Sequence, residues 1–101
     1  MTTYRQRLYP DQLEGLPFAI RDLLAALAWA KTHSGVQLQI TLDHPHIYEA
    51  IEICPPGTAS LRWLIWQTYE GRLRVDDLLK GDFGLPYLTL ETALRFIASQ
   101  I

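Results

Sequence analysis

Between residues 17 and 42 the spacing of apolar side chains changes period. In "PFAIRDLLAALAWAKTHS" they recur every three or four residues, whereas in "VQLQITL" they alternate strictly. The first pattern predicts a helix from Pro17 to Ser34, opened by a proline suited to a first turn and followed by Gly35 just past its end. Leu16, Ile20, Leu23, Leu24, Leu27 and Ala30 share the side expected against a core. Phe18, Ala25 and Trp29 line the opposite side, so this helix carries two apolar faces. The second pattern predicts a half-buried strand with Val36, Leu38, Ile40 and Leu42 on one face.

"DHPH" breaks the alternation because Pro45 cannot donate to a ladder, and "YEAIEIC" resumes it with Ile51 and Ile53 set against Glu52. A second strand is expected there. Asp43 ahead of the proline offers a competing cap, so 43–50 reads as either a turn or one short helical turn. "PPGTAS" has the composition of a loop.

"LRWLIWQTYEGRLRV" predicts a hairpin whose register depends on its turn. A plain two-residue loop at Glu70 and Gly71 sets Arg72 and Arg74 beside Trp63 and Ile65, which spoils an apolar face. A type I turn followed by Gly71 in the left-handed conformation sets Thr68 opposite Arg72 and Trp66 opposite Arg74. Leu61, Trp63, Ile65, Leu73 and Val75 then share one face, and Arg62, Leu64, Trp66, Thr68, Arg72 and Arg74 the other. Because a one-residue slip flips every side chain, the register with the cleaner apolar face is expected.

Glycines and a proline punctuate "DDLLKGDFGLP", and Thr89 then caps an amphipathic helix whose stripe is Leu90, Ala93, Leu94, Ile97 and Ile101. "TYRQRLY" near the start suits an edge strand. Consecutive strands flanked by helices make the expected class α+β: an antiparallel sheet of about four to five strands with two helices packed on one face.

Composition narrows the class further. With 101 residues, 49% of them apolar, the chain can fill one core without disulfides or metals, and a single domain over 1–101 is expected. Its formal net charge of −2 is spread along the sequence, which argues against a general polyanion binder. A lone cysteine, Cys54, fits a reducing compartment, and "MTTYRQRLYPDQ" lacks the apolar core of a secretory signal. "LLAALAWA" is far shorter than the roughly 20 residues that span a bilayer. A cytoplasmic protein without a membrane span is therefore expected.

Few residues invite chemistry. Arg62, Trp66, Arg72 and Arg74 on one sheet face form a candidate partner-binding cluster, able to clamp an acidic partner or stack single-stranded bases, or simply to pack across the strands. Phe18, Ala25 and Trp29 form a candidate homodimer or partner face, unless Tyr4, Leu8 and Tyr9 of the N-terminal segment cover it. His44 and His46, with Asp43, Glu49 and Cys54, lack the spacing of a zinc site, and His33 suits the negative end of its helix. "GDFG" has none of the companion elements of a kinase, and Asp76 and Asp77 point to opposite faces of a strand, a poor catalytic pair. No cofactor or metal is implied.

"RWLIWQTYEGRLRVDDLLKG" and "LPYLTLETALRFI" resemble segments of short uncharacterised cyanobacterial proteins. That resemblance implies no activity, fold or binding residue. The residues themselves point to a small non-enzymatic interaction domain of regulatory or accessory kind. Single-stranded nucleic-acid binding through Trp66 and its arginines is one alternative, and a small enzyme whose site assembles in three dimensions or across a dimer is another.

Overall fold

A computed structural model describes residues 17–42 and 49–101. The elements run α1 (Ile20–Lys31), β1 (Gln37–Thr41), β2 (Ala50–Cys54), β3 (Trp63–Gln67), β4 (Leu73–Asp77), β5 (Asp82–Tyr87) and α2 (Leu90–Gln100). The five strands lie side by side in chain order, each antiparallel to the next. Short connections between alternating segments produce this meander, and the expected α+β class stands. The expected strand "TYRQRLY", Asp43 to Tyr48 and the histidines His44 and His46 lie outside the described residues.

The β3–β4 hairpin has the expected bulged register. Trp66 pairs with Arg74 and Ile65 with Val75. Beyond them the Thr68 N–H donates to the Arg72 carbonyl at 2.8 Å, and the Gly71 N–H donates to the Thr68 carbonyl at 2.9 Å. Gly71 takes φ 80°, a conformation that glycine adopts without a Cβ clash. Trp63, Ile65, Leu73 and Val75 are accordingly buried together on one face.

Strand β5 is the element that punctuation concealed. Its Gly84 and Pro86 read as turn residues, yet both fit a strand at the sheet margin, where a missing N–H and a local kink are tolerated. Val75 pairs with Leu85 and Asp77 with Asp82, so Phe83 and Gly84 together oppose Asp76. This is a β-bulge with Gly84 at φ 69°, and the Asp76 carboxylate accepts the Gly84 N–H at 2.7 Å.

Both helices cover the same face. Ala93, Leu94 and Ile97 of α2, with Phe18 and Ala26 from the α1 side, join Ile51, Ile53, Trp63, Ile65 and Val75 in the core. The Thr89 hydroxyl accepts the Thr92 N–H at 3.1 Å, and the Thr89 N–H donates back to the Thr92 hydroxyl, a reciprocal cap. On its exposed side, Arg95 meets Glu91 one turn earlier at 3.1 Å.

Helix α1 corrects two expectations. It is shorter than Pro17 to Ser34, because Pro17, Phe18 and Ala19 approach it as non-helical chain and Thr32 ends it. Its orientation is also rotated, although Leu23 of the expected core stripe does pack on the core and Ala25 of the opposite side is exposed. Ala26 is fully buried and Trp29 packs on the core, whereas Ile20, Leu24 and Leu27 of the expected core stripe face outward. With apolar residues on both sides, the decision falls to shape: the small Ala26 lets the helix approach closely, and Phe18 and Trp29 supply bulk beside it. The Phe18 N–H donates to Glu49 Oε1 at 2.6 Å, which ties the start of α1 to the start of β2.

Candidate interaction site

The four residues expected on one face divide into two groups. Arg62 precedes β3, and instead of standing beside Trp66 it turns to the helix-covered side. There its Nε and Nη2 donate to the two oxygens of Asp77 at 3.2 and 3.3 Å, while its Cζ lies 4.4 Å from the Trp63 ring centroid. Asp77 faces inward opposite Trp63 and is nearly inaccessible, so a cation must be brought to it. That requirement outweighs the strand alternation that placed Arg62 on the other face.

Asp77 also accepts the N–H groups of Leu79 and Lys80 at 3.1 and 3.2 Å, which closes the turn into β5. Burial alone pushes its carboxyl pKa up. The Arg62 hydrogen bond, the Lys80 and Leu79 amides and the guanidinium charge together reverse this, holding it below the ordinary 3.8. Burial, with the Asp77 charge, raises the Tyr87 phenol above its ordinary 10.0 and keeps it neutral at physiological pH.

On the opposite face, Trp66 is half-buried and its indole N–H donates to Asp76 Oδ1 at 3.1 Å. Asp76 thus fastens both the indole and the β5 bulge, a structural part that alternation alone did not reveal. Asp76 and Asp77 do point to opposite faces. The face is less open than expected, because Ala50 is fully buried and Leu64 keeps only 3% of its surface exposed.

Arg72 and Arg74 remain together. Arg72 is exposed, Arg74 donates only to the Leu73 carbonyl at 3.2 Å, and neither meets a carboxylate among the described residues. They border a groove of about 470 Å³ with Gly71, Pro86, Tyr87 and Leu88, and Leu88 is almost fully exposed. The apolar half of this groove, Pro86 and Leu88, comes from β5 and its exit, the segment that the sequence pattern presents as a loop, while the Tyr87 ring turns to the helix-covered face and lies 5.7 Å from that of Phe96.

The second expected surface also divides. Phe18 lies in the core, which removes it from any contact face, because it fills the space at the entry to α1. Ala25 and Trp29 instead line a groove of about 610 Å³ between α1 and α2, with Leu90 and Leu94 across from them and Asp22, Glu91 and Arg95 around it. His33 closes one end, its ring 4.4 Å from that of Trp29 and its Nδ1 2.8 Å from the Trp29 carbonyl, as suits a helix C-terminus.

Cys54 is half-buried with its Sγ 3.5 Å from the Ala59 carbonyl, and among the described residues no group of three acidic, histidine or cysteine side chains converges as metal ligands would. Among the described residues no helix is long and apolar enough to cross a membrane. No family model, curated protein or solved structure matches the chain.

Proposed function

We propose that the protein is a small cytoplasmic interaction domain, regulatory or accessory in role and without chemistry of its own, that grips an acidic segment of a partner protein between Arg72 and Arg74. The observation that carries this reading is the pair of guanidinium groups left without carboxylates among the described residues, beside Pro86 and the exposed Leu88. Arginine is enriched at protein interfaces, and guanidinium groups take carboxylates in bidentate contacts. Arg62, Asp76, Asp77 and Trp66 are by contrast engaged within the fold. The half-buried indole sits against a carboxylate, which favours a protein ligand over nucleotide bases.

A titration of the labelled protein with a random glutamate–tyrosine copolymer, followed by amide chemical shifts, tests the reading. Shifts are expected at residues 71–74 and 86–88, weakening as salt is added. Arg72→Glu/Arg74→Glu should abolish them with the rest of the spectrum unchanged. A silent titration, or shifts confined to the α1–α2 groove, would refute it.

A further inference from the structure

We infer that the groove between α1 and α2 binds a small aromatic amine, its ammonium group on Asp22 and its ring lying between Ala25 and Leu94 with its far edge at Trp29. The groove belongs to the helical layer, across the sheet from Arg74, and the inference stands apart from the reading of the arginine pair.

The topology shapes the groove. Both helices set out from the end of the sheet that carries the β3–β4 turn, where Phe18 and Asp22 meet Thr89 and Leu90 beside Gly71 and Leu73. They therefore run parallel, and the groove follows them from Asp22 and Thr89 at one end to His33 and Ala98 at the other. Between these ends its walls are apolar: Ala25 and Trp29 on α1, Leu90 and Leu94 on α2. Its volume of about 610 Å³ is that of small-ligand sites, which hold roughly 300–1,000 Å³ and join apolar walls to a few polar groups.

The charge balance of those polar groups names the ligand. Thr89 is taken up in capping α2, and Glu91 and Arg95 on the rim neutralise each other at 3.1 Å. His33 Nδ1 lies 2.8 Å from the Trp29 carbonyl and 3.0 Å from the Thr32 hydroxyl, which itself donates to that carbonyl at 2.7 Å. Nδ1 therefore carries the proton, and Nε2 of the neutral ring is an acceptor. Asp22 remains, a half-buried carboxylate with neither a cation nor a donor beside its oxygens among the described residues. The groove thus lacks one positive charge, which a ligand ammonium supplies and an anion does not.

Shape favours a small ring over a peptide. A third helix, about 10–12 Å across, would rest on the exposed Glu91–Arg95 pair rather than enter the groove. An extended peptide would bring backbone N–H and C=O groups against Ala25, Trp29, Leu90 and Leu94, whose apolar walls offer them no acceptor or donor. A flat ring carries no such groups. Asp22 and Trp29 stand two turns apart on α1, about 10 Å along its axis, a distance that an arylethylamine bridges with its ring ending against the indole.

Three probes that share an indole and differ in charge test the inference: tryptamine, the neutral tryptophol and the anionic indole-3-acetate, each titrated into the labelled full chain and followed by amide shifts. Tryptamine is expected to shift residues 22–33 and 89–98 and to bind most tightly, indole-3-acetate least. Asp22→Asn should weaken tryptamine about fivefold, the worth of one partly exposed ion pair, and bring it level with tryptophol. Ala25→Phe, at an exposed position, should fill the groove and abolish the shifts for all three with the circular dichroism of the fold unchanged. Absence of shifts with tryptamine overturns the inference, and is the outcome expected if residues 1–16 occupy the groove. Equal affinity for tryptamine and indole-3-acetate overturns it too, as does binding that survives Ala25→Phe. Shifts of the same residues by a leucine–lysine amphipathic peptide but not by tryptamine would assign the groove to a partner helix instead, and also overturn it.

Discussion

Replacing Trp63 with alanine is expected to lower the stability of the fold by about 3–5 kcal/mol, the range for deleting a large aromatic from a core. Trp63 is fully buried and belongs to the core cluster to which both helices and the sheet contribute. For a domain of this size the loss corresponds to a fall in melting temperature of about 15–30 °C. A subtler expectation follows from its indole N–H, which is buried without a hydrogen-bond partner among the described residues. An orphaned donor costs about 1–3 kcal/mol, so Trp63→Phe, which removes the donor and keeps most of the ring, should be far milder than Trp63→Ala. Chemical denaturation of the three proteins checks both. Equal losses for Phe and Ala would mean that ring volume is not what the site requires. Trp66→Ala, at a half-buried position, should cost clearly less than Trp63→Ala.

Asp77→Ala is expected to be comparably damaging, towards the lower end of about 3–5 kcal/mol for breaking a buried ion pair. The figure is held down because Arg62 keeps 15% of its side-chain surface in water. Besides the ion pair, the substitution releases the Leu79 and Lys80 amides and so loosens the turn into β5. The two large effects should not add. Arg62 rests on the Trp63 ring and bonds Asp77, so a double-mutant cycle between Trp63 and Asp77 should show coupling.

The same carboxylate sets part of the response to acid. Its folded pKa lies below the unfolded value of about 3.8, so the folded state binds fewer protons in that region. The stabilisation is fully present above the unfolded value and is lost as pH falls through the lower folded value. Melting temperatures of the wild type should therefore decline from just under pH 4 downwards. Asp77→Asn, already lacking the charge, should start lower and show a flatter acid limb. An unchanged slope would show that Asp77 does not carry this linkage.

The hairpin was legible because one parity gathers Trp63, Ile65, Leu73 and Val75, and because Gly71 stands where a left-handed residue is needed. Helix α1 was legible as a helix but not as to its inward face. Its apolar residues lie all round, and the deciding property is how closely Ala26 lets it approach, which depends on residues far away in sequence. β5 was hidden by Gly84 and Pro86, whose usual meaning is reversed at a sheet margin beside a bulge. Arg62 misled because alternation assumes a residue inside the strand. The signal that was present is Asp77, two residues beyond the inward-facing Val75: an acid at an inward position calls for a cation, and Arg62 is the nearest across the hairpin. The arginine groove was half visible for the same reason, since its cations lie on the legible hairpin and its apolar wall lies on β5.

Whether the chain works by holding an acidic segment of another protein is tested most directly by affinity capture from an extract of the organism that makes it. Wild type and Arg72→Glu/Arg74→Glu should be compared at equal loading, with enrichment quantified by mass spectrometry. The expected result is a protein with an acidic segment that the wild type enriches, that added salt releases, and that the variant fails to retain although it is folded. Enrichment of the same proteins by both baits, or of nothing by either, would contradict it.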